Sequence, residues 1–286
     1  MIMKTKIYNT IQEFLNENEK LLLENEAVTQ LILHNAFVNR EKVVNREVIF
    51  GRIEDEKGYI KLIFANVKPY NLLIYNLENN TLEAIKKLVD YLIEDEIALR
   101  GINGNKKICD EFIEYYGYKM NCTFKEYLSM DIMEITKVNE RINLPKGNFR
   151  VATSKDKELL IDWYIKFAKE ALNEERSYLD FEDKLNQRIE SNNIYIFEDD
   201  KNRAMAMISV TRQLVNGVSV SYVYSSKEAR GKGFGLAVVY HLSKEYLDKG
   251  NRFCTLFVDK KNPISNAVYK KIGYRILDDN YDYRIV

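Results

Sequence analysis

Apolar residues recur at helical spacing through residues 10–38, among abundant Glu and Asn, and predict one or two amphipathic helices. The runs 48–53, 59–65 and 71–77 change period: apolar residues alternate or cluster between Gly and Asn breaks, which predicts a three-strand meander with Asp55, Glu56, Lys57 and Gly58 as its first turn. Thr81 then stands where an N-cap belongs, ahead of Leu82, Ile85, Leu88, Val89 and Leu92, whose spacing defines one helix face. A short strand is expected at 97–99, a helix at 107–116 after Gly101 and Gly104, and further strand material over 118–135.

Residues 138–147 are polar and end in Leu144-Pro145-Lys146-Gly147, where Pro and Gly interrupt both periodic structures, so the linker is placed there. Beyond it, 149–152 reads as a strand. Thr153 with Asp156 offers a capping-box start for a helix through Leu159, Leu160, Trp163 and Phe167, and a second helix is expected over 181–190. Strands follow at 193–198, 204–213 and 218–224, with Asp199-Asp200-Lys201-Asn202 and Asn216-Gly217 as hairpin turns. A glycine-rich loop, a helix to Leu247, a strand at 253–258, a helix at 263–272 and a last pair of strands complete the chain. This order is α+β, a mixed and mostly antiparallel sheet flanked by helices, and not a βαβ repeat. The two halves share it coarsely, which with a length of 286 residues predicts two tandem domains, 1–140 and 149–286.

Composition narrows the function. A hydrophobic share of 46% and a charged share of 30% are those of a globular protein. Lys plus Arg equals Asp plus Glu at 43 each, so no broad field draws nucleic acid or an anionic membrane, and any anion site must be local. The apolar stretches 21–23 and 72–75 fall far short of the ~20 residues that span a bilayer, and the N-terminus lacks an apolar signal core. Cys109, Cys122 and Cys254 are odd in number and show no C-x-x-C spacing, which predicts buried thiols in a reducing cytoplasm and neither disulfides nor a metal site. His34 and His241 lie beside no G-x-S-x-G signature, which disfavours a triad hydrolase, and His241 is expected at a surface or interface.

The chemistry concentrates in Arg230-Gly231-Lys232-Gly233-Phe234-Gly235, between a strand ending near Tyr224 and a helix. Glycines there allow positive φ and close approach to the backbone, and the free N–H groups and dipole of the helix start favour an anion such as a pyrophosphate. Arg230 and Lys232 would add charge-assisted contacts. The spacing is neither G-x-G-x-x-G nor a phosphate-loop G-x-x-x-x-G-K-[ST]. The R-x-x-G-x-G of Arg230, Gly233 and Gly235 resembles the cofactor loop of the GNAT N-acetyltransferases. Downstream, Asn262, Ser265, Tyr269, Gly273 and Tyr274 resemble that family's N-x-x-[SA]-x-x-x-Y-x-x-x-G-[FY] helix, on which Asn262, Ser265 and Tyr269 share one face.

The resemblance covers 149–286 and implies an acetyl-CoA-dependent N-acetyltransferase with no metal. It places the pantetheine arm beside Val223, Tyr224 and Ser225 and the pyrophosphate on Arg230, Gly231, Lys232, Gly233, Phe234 and Gly235, with Asn262 and Ser265 adjoining. Tyr269 stands where the family has its general acid. The acceptor implied is a small-molecule or peptide amine, met by residues 163–181 and 213–217. Glu170, Glu174 and Glu175 fall in that region, where solvated helix charges are the plainer reading. Residues 1–140 lack such a loop, the nearest candidate being Gly101-Ile102-Asn103-Gly104-Asn105 after Arg100, and read as a degenerate GNAT-like or accessory domain that could shape the pocket or form a homodimer. The competing expectation is a catalytically weak CoA-binding regulatory or interaction module.

Overall fold

The computed structural model describes residues 2–286. The chain divides into two compact units, Met1–Ile132 with Leu277–Val286, and Met133–Ile276.

The first unit runs β1 (Met3–Ile7), α1 (Ile11–Leu23), α2 (Glu26–Val38), β2 (Val48–Asp55), β3 (Ile60–Val67), β4 (Leu72–Asn76), α3 (Leu82–Glu94), β5 (Gly101–Gly104), α4 (Lys106–Met120) and β6 (Phe124–Ile135). The strands β1 to β4 pair antiparallel in sequence order, and β5 joins β4 in parallel through Leu72↔Ile102 and Leu73↔Asn103. The sheet face covered by α1 and α2 buries Phe14, Leu33, Phe50 and Ile63, and the other, under α3 and α4, buries Ile53, Leu62, Leu88 and Phe112. This alternation along β2 and β3 is the period of two that marked them in the sequence.

From Asn148 the chain repeats the order: β7 (Asn148–Val151), α5 (Lys157–Leu172), α6 (Tyr178–Glu190), β8 (Ile194–Glu198), β9 (Ala204–Gln213), β10 (Gly217–Ser225), α7 (Phe234–Asp248), β11 (Phe253–Asp259), α8 (Pro263–Ile272) and β12 (Arg275–Ile285), of which Leu277 onward belongs to the first unit. β7, β8, β9 and β10 pair antiparallel, and β11 lies parallel to β10. α7 and α8 fill one face with a core of Ala206, Ile208, Val220, Val239, Leu256 and Tyr269, while α5 and α6 cover the other with Trp163, Tyr164, Phe181, Ile196 and Met207. Capping boxes start both the turn before α5, through Thr153 and Asp156, and α6, through Ser177 and Asp180. The architecture is mixed α/β, with a mostly antiparallel sheet flanked by helices. No helix among the described residues is long and apolar enough to cross a membrane.

Three expectations change. The strand foreseen at 97–99 lies at Gly101–Gly104, because Gly101 is a strand residue and not a breaker: a Cβ there would stand 2.0 Å from the Tyr283 carbonyl oxygen. The chain ends in one strand, β12, not two. Its pairing of Tyr281↔Gly104 and Tyr283↔Ile102 sets the last ten residues in the first compact unit. Finally, β1 carries its own strand ahead of Thr10.

Candidate active site

The site is built where β10 and β11 part. Their parallel pairing covers Gly217↔Phe253, Val218↔Cys254 and Ser219↔Thr255, while β10 runs on to Ser225 and β11 to Asp259. Within that stretch β10 also loses register with β9: Ser221 faces Ser209 and Tyr224 faces Met207, so Tyr222 and Val223 stand against one residue. Tyr222 takes a φ of 54°, the left-handed region that a bulky residue rarely enters. A bulge of this kind leaves backbone groups out of the β9 ladder, and it lies in the stretch of β10 beyond its last pair with β11.

At the end of β10 a single 3-10 turn, Lys227–Ala229, leads into the glycine loop. Gly231 has a φ of 76° and Gly233, the N-cap of α7, a φ of 83°. No side chain caps α7, and its first turn holds no acidic residue, so its first N–H groups keep their hydrogen-bonding capacity and the positive end of the helix dipole is uncompensated. A Cβ on Gly231 would meet nothing within 4 Å, whereas one on Gly235 would stand 2.9 Å from Ser225 Oγ. The loop is therefore open where a ligand would approach and tight where the helix passes the strand. These features fit the diphosphate of a nucleotide cofactor.

The structure brings the sequence-selected residues together unequally. Arg230 leaves the loop: its Nη2 donates to Glu170 Oε2 on α5 at 2.6 Å and to the Tyr224 hydroxyl at 3.4 Å. Lys232 is exposed at the loop edge. Phe234 can offer only backbone, because its ring is buried against Phe197 with centroids 6.0 Å apart. Tyr224 is likewise buried, 5.7 Å from Trp163 between ring centres, and Val223 packs against the core on the α7 side. On α8, Asn262 is the N-cap, its side chain accepting from Ser265 N at 3.0 Å, so that residue has a structural task of its own. Tyr269 lies in the core beside Tyr274, and burial pushes its phenol above the ordinary value of 10, which keeps it protonated at neutral pH.

The acidic candidates are engaged: Glu170 with Arg230, Glu174 with Arg176 at 2.8 Å, and Glu175 with Lys169 at 3.0 Å. His241 is half-buried, stacked between Phe149 and Phe197 with centroids 5.5 Å from each, and not the surface or interface histidine foreseen; burial lowers its pKa from 6.5. Sequence reasoning missed the backbone conformation of Tyr222. The only available signal was the long run of strand-forming residues before the loop, which does not encode a bulge.

No curated protein matches the chain significantly. Among solved structures, a Drosophila protein superposes with a TM-score of 0.65 at 12% identity over 99% of this chain and 98% of its own. A GCN5-related N-acetyltransferase from Sphaerobacter thermophilus gives 0.61 at 12% identity, covering 90% of this chain and 85% of its own. A GNAT-family acetyltransferase from Colwellia psychrerythraea gives 0.54 at 11% identity over 98% and 99%. These show a shared fold across both units. The model of the acetyltransferase (GNAT) family matches residues 157–274, which span the splayed strands, the glycine loop, α7 and α8. Residues 157–274 thus form an acetyltransferase domain of the GNAT family, whose members transfer an acyl group from acetyl-CoA.

Proposed function

We propose that the chain transfers the acetyl group of acetyl-CoA to a primary amine, with the second unit as the catalytic domain and the first as a copy that binds no cofactor. The observation that carries this reading is the uncapped start of α7 behind Gly231 and Gly233, set at the open end of the β10–β11 gap. Bound acetyl-CoA supplies an acyl thioester whose carbonyl carbon accepts the amine.

The residues divide the work. Backbone N–H groups of Gly231 and of residues 233–236 hold the diphosphate, with the Lys232 side chain at the rim; the Lys232 N–H donates to the Ala229 carbonyl at 3.2 Å. The edges of β10, from Val223 to Ser225, and of β11 pair with the amide groups of the pantetheine arm as a substitute strand. A backbone N–H at the bulge, near Val223, donates to the carbonyl oxygen as negative charge builds there. With acetyl-CoA bound, the amine nitrogen would bond to the acyl carbon and the C–S bond would break; the amine's proton would pass to water, and the Tyr269 hydroxyl would give the thiolate its proton and recover one from solvent. The amine enters on the α5–α6 side, where the ring of the bulge residue Tyr222 packs against Tyr164 and Phe167.

Calorimetry with acetyl-CoA, followed by thiol release over a panel of amines, tests the proposal. Binding with turnover is the expected result. Binding without turnover would leave only a CoA-responsive module, and no binding would remove both readings.

A further inference from the structure

Where β4 and β5 part, the first unit holds a small open cleft on the sheet face under α2. Ile102, Tyr281 and Tyr283 pack with α3 and α4, so alternation along β5 and β12 places Asn103, Asn280 and Asp282 on the opposite face. Val28 and Ile32 of α2 and Leu73 of β4 give the cleft apolar walls, and Asn280 lines it with them.

The neighbouring polar side chains have partners within the unit. Thr29 Oγ1 donates to the Leu22 carbonyl at 2.7 Å. Asn105 Nδ2 donates to Asn76 Oδ1 at 2.7 Å, its Oδ1 accepts from Ile108 N at 3.0 Å, and Asn76 Nδ2 donates to the Glu78 carbonyl at 3.0 Å. Asn280 differs: the residue is only 6% exposed, and its Nδ2 has no partner among the described residues. A buried donor that makes no hydrogen bond destabilises the fold, and an apolar side chain of the same shape would avoid that cost. The chain nonetheless keeps an amide at the wall of a cleft.

The lining restricts what could satisfy it. Nδ2 is a donor, so the partner must bring a lone pair, which an ammonium group lacks. Asp278 and Asp279 stand at the same cleft, and no Lys, Arg or His among the described residues lines it, so a carboxylate or phosphate would meet like charge. An uncharged carbonyl meets both conditions. If that carbonyl belongs to an amide, its N–H also suits the acidic rim, because a carboxylate accepts several hydrogen bonds.

We propose that the cleft of the first unit binds a small uncharged carboxamide, whose carbonyl oxygen accepts from Asn280 Nδ2 while its alkyl part lies against Val28, Ile32 and Leu73. The site needs no acetyl-CoA and stands apart from the acetyl-transfer reading.

The test titrates the whole isotope-labelled chain with acetamide, acetate and methylammonium, and follows the Asn280 side-chain amide resonances by NMR. Acetamide should move them saturably with a Kd on the order of 1 mM, the scale open to a ligand of about four heavy atoms. Acetate and methylammonium should bind at least ~10-fold more weakly. In Asn280→Leu, acetamide should lose ~10-fold or more in affinity, read from the backbone amides of residues 73–76 and 103–105, with acetyl-CoA affinity by calorimetry as in the parent. Asn280 resonances that stay still, or that respond alike to all three probes, would overturn the proposal and leave the cofactor site untouched. Failure of acetyl-CoA to bind would sink the acetyl-transfer reading and leave this one standing. Should Asn280→Leu fail to fold, the wild-type titration decides alone.

Discussion

The two units repeat one order of elements and treat the helix after the fourth strand in opposite ways. In the second unit α7 opens behind two glycines with positive φ, no side chain caps it, and no acid stands in its first turn. In the first unit α3 opens behind Leu77-Glu78-Asn79-Asn80-Thr81, with no glycine. There Thr81 is fully buried and donates to Glu111 Oε2 at 2.5 Å, Lys107 Nζ donates to the Asn79 carbonyl, and Glu83 occupies the first turn. The strand gap differs too. β4 and β5 part after two pairs, as β10 and β11 do after three, and a small open cleft remains, lined by the strand residues 73–76, 103–105 and 278–280 together with Val28, Thr29, Leu31 and Ile32 of α2. Yet Asn105 Nδ2 donates to Asn76 Oδ1 at 2.7 Å and ties the two strand ends together. The apolar alternation that builds the fold is thus independent of the handful of loop residues that would make it a nucleotide site. The first unit keeps the frame without the glycines: α3, like α7, has no side-chain cap, but an acidic residue, Glu83, stands in its first turn.

The contrast can be broken at its strongest point. Gly233→Glu puts a side chain on a residue at φ 83° and a negative charge beside the open amides, and should weaken acetyl-CoA binding by ~100-fold or more, read by calorimetry. A matching charge in the first unit, Asn80→Glu, should leave that affinity unchanged. Next in size, Tyr269→Phe should lower kcat by ~10²-fold while acetyl-CoA affinity stays as in the parent, as expected for loss of an acid catalyst. Unaltered turnover would assign Tyr269 to the core alone.

A smaller effect sharpens the loop's electrostatics. Glu170 holds Arg230 in an exposed pair, so Glu170→Gln should free the guanidinium and tighten acetyl-CoA by roughly two- to five-fold at low salt, the scale of exposed ion pairs. Weaker binding would mean that Arg230 is oriented for the ligand by Glu170. The smallest effect is on stability. Burial lowers the His241 pKa below 6.5, so the unfolded chain binds its proton more tightly than the folded one. Stability from this group is therefore full above 6.5 and falls as pH drops through 6.5 towards the folded value, by at most ~1.4 kcal/mol per pH unit. Thermal unfolding at pH 5.5 and 7.5 should show a wild-type difference that shrinks in His241→Gln.

Much of this frame was legible in the sequence because it is periodic. The helix at Pro263–Ile272 and the strand Ala204–Gln213 follow from spacing and turn residues. What stayed hidden depends on residues distant in sequence. Gly101 reads as a breaker until β12 returns from the far end of the chain to lie against it. The Tyr222 bulge is a register shift between strands whose residues all have strand propensity, so no local signal marks it. The glycine loop was legible, since its spacing is local. The partners that restrain it were not: Glu170 lies sixty residues before Arg230, and nothing in the chain's order announces their pairing.

Hydrogen exchange with and without acetyl-CoA tests the central claim most directly, because it reports amides individually in both units at once. Added acetyl-CoA should slow exchange at residues 231–236 and along the free edge of β10, and leave residues 78–84 at the start of α3 unchanged. Protection at the start of α3, or none at residues 231–236 when calorimetry shows binding, would contradict the account.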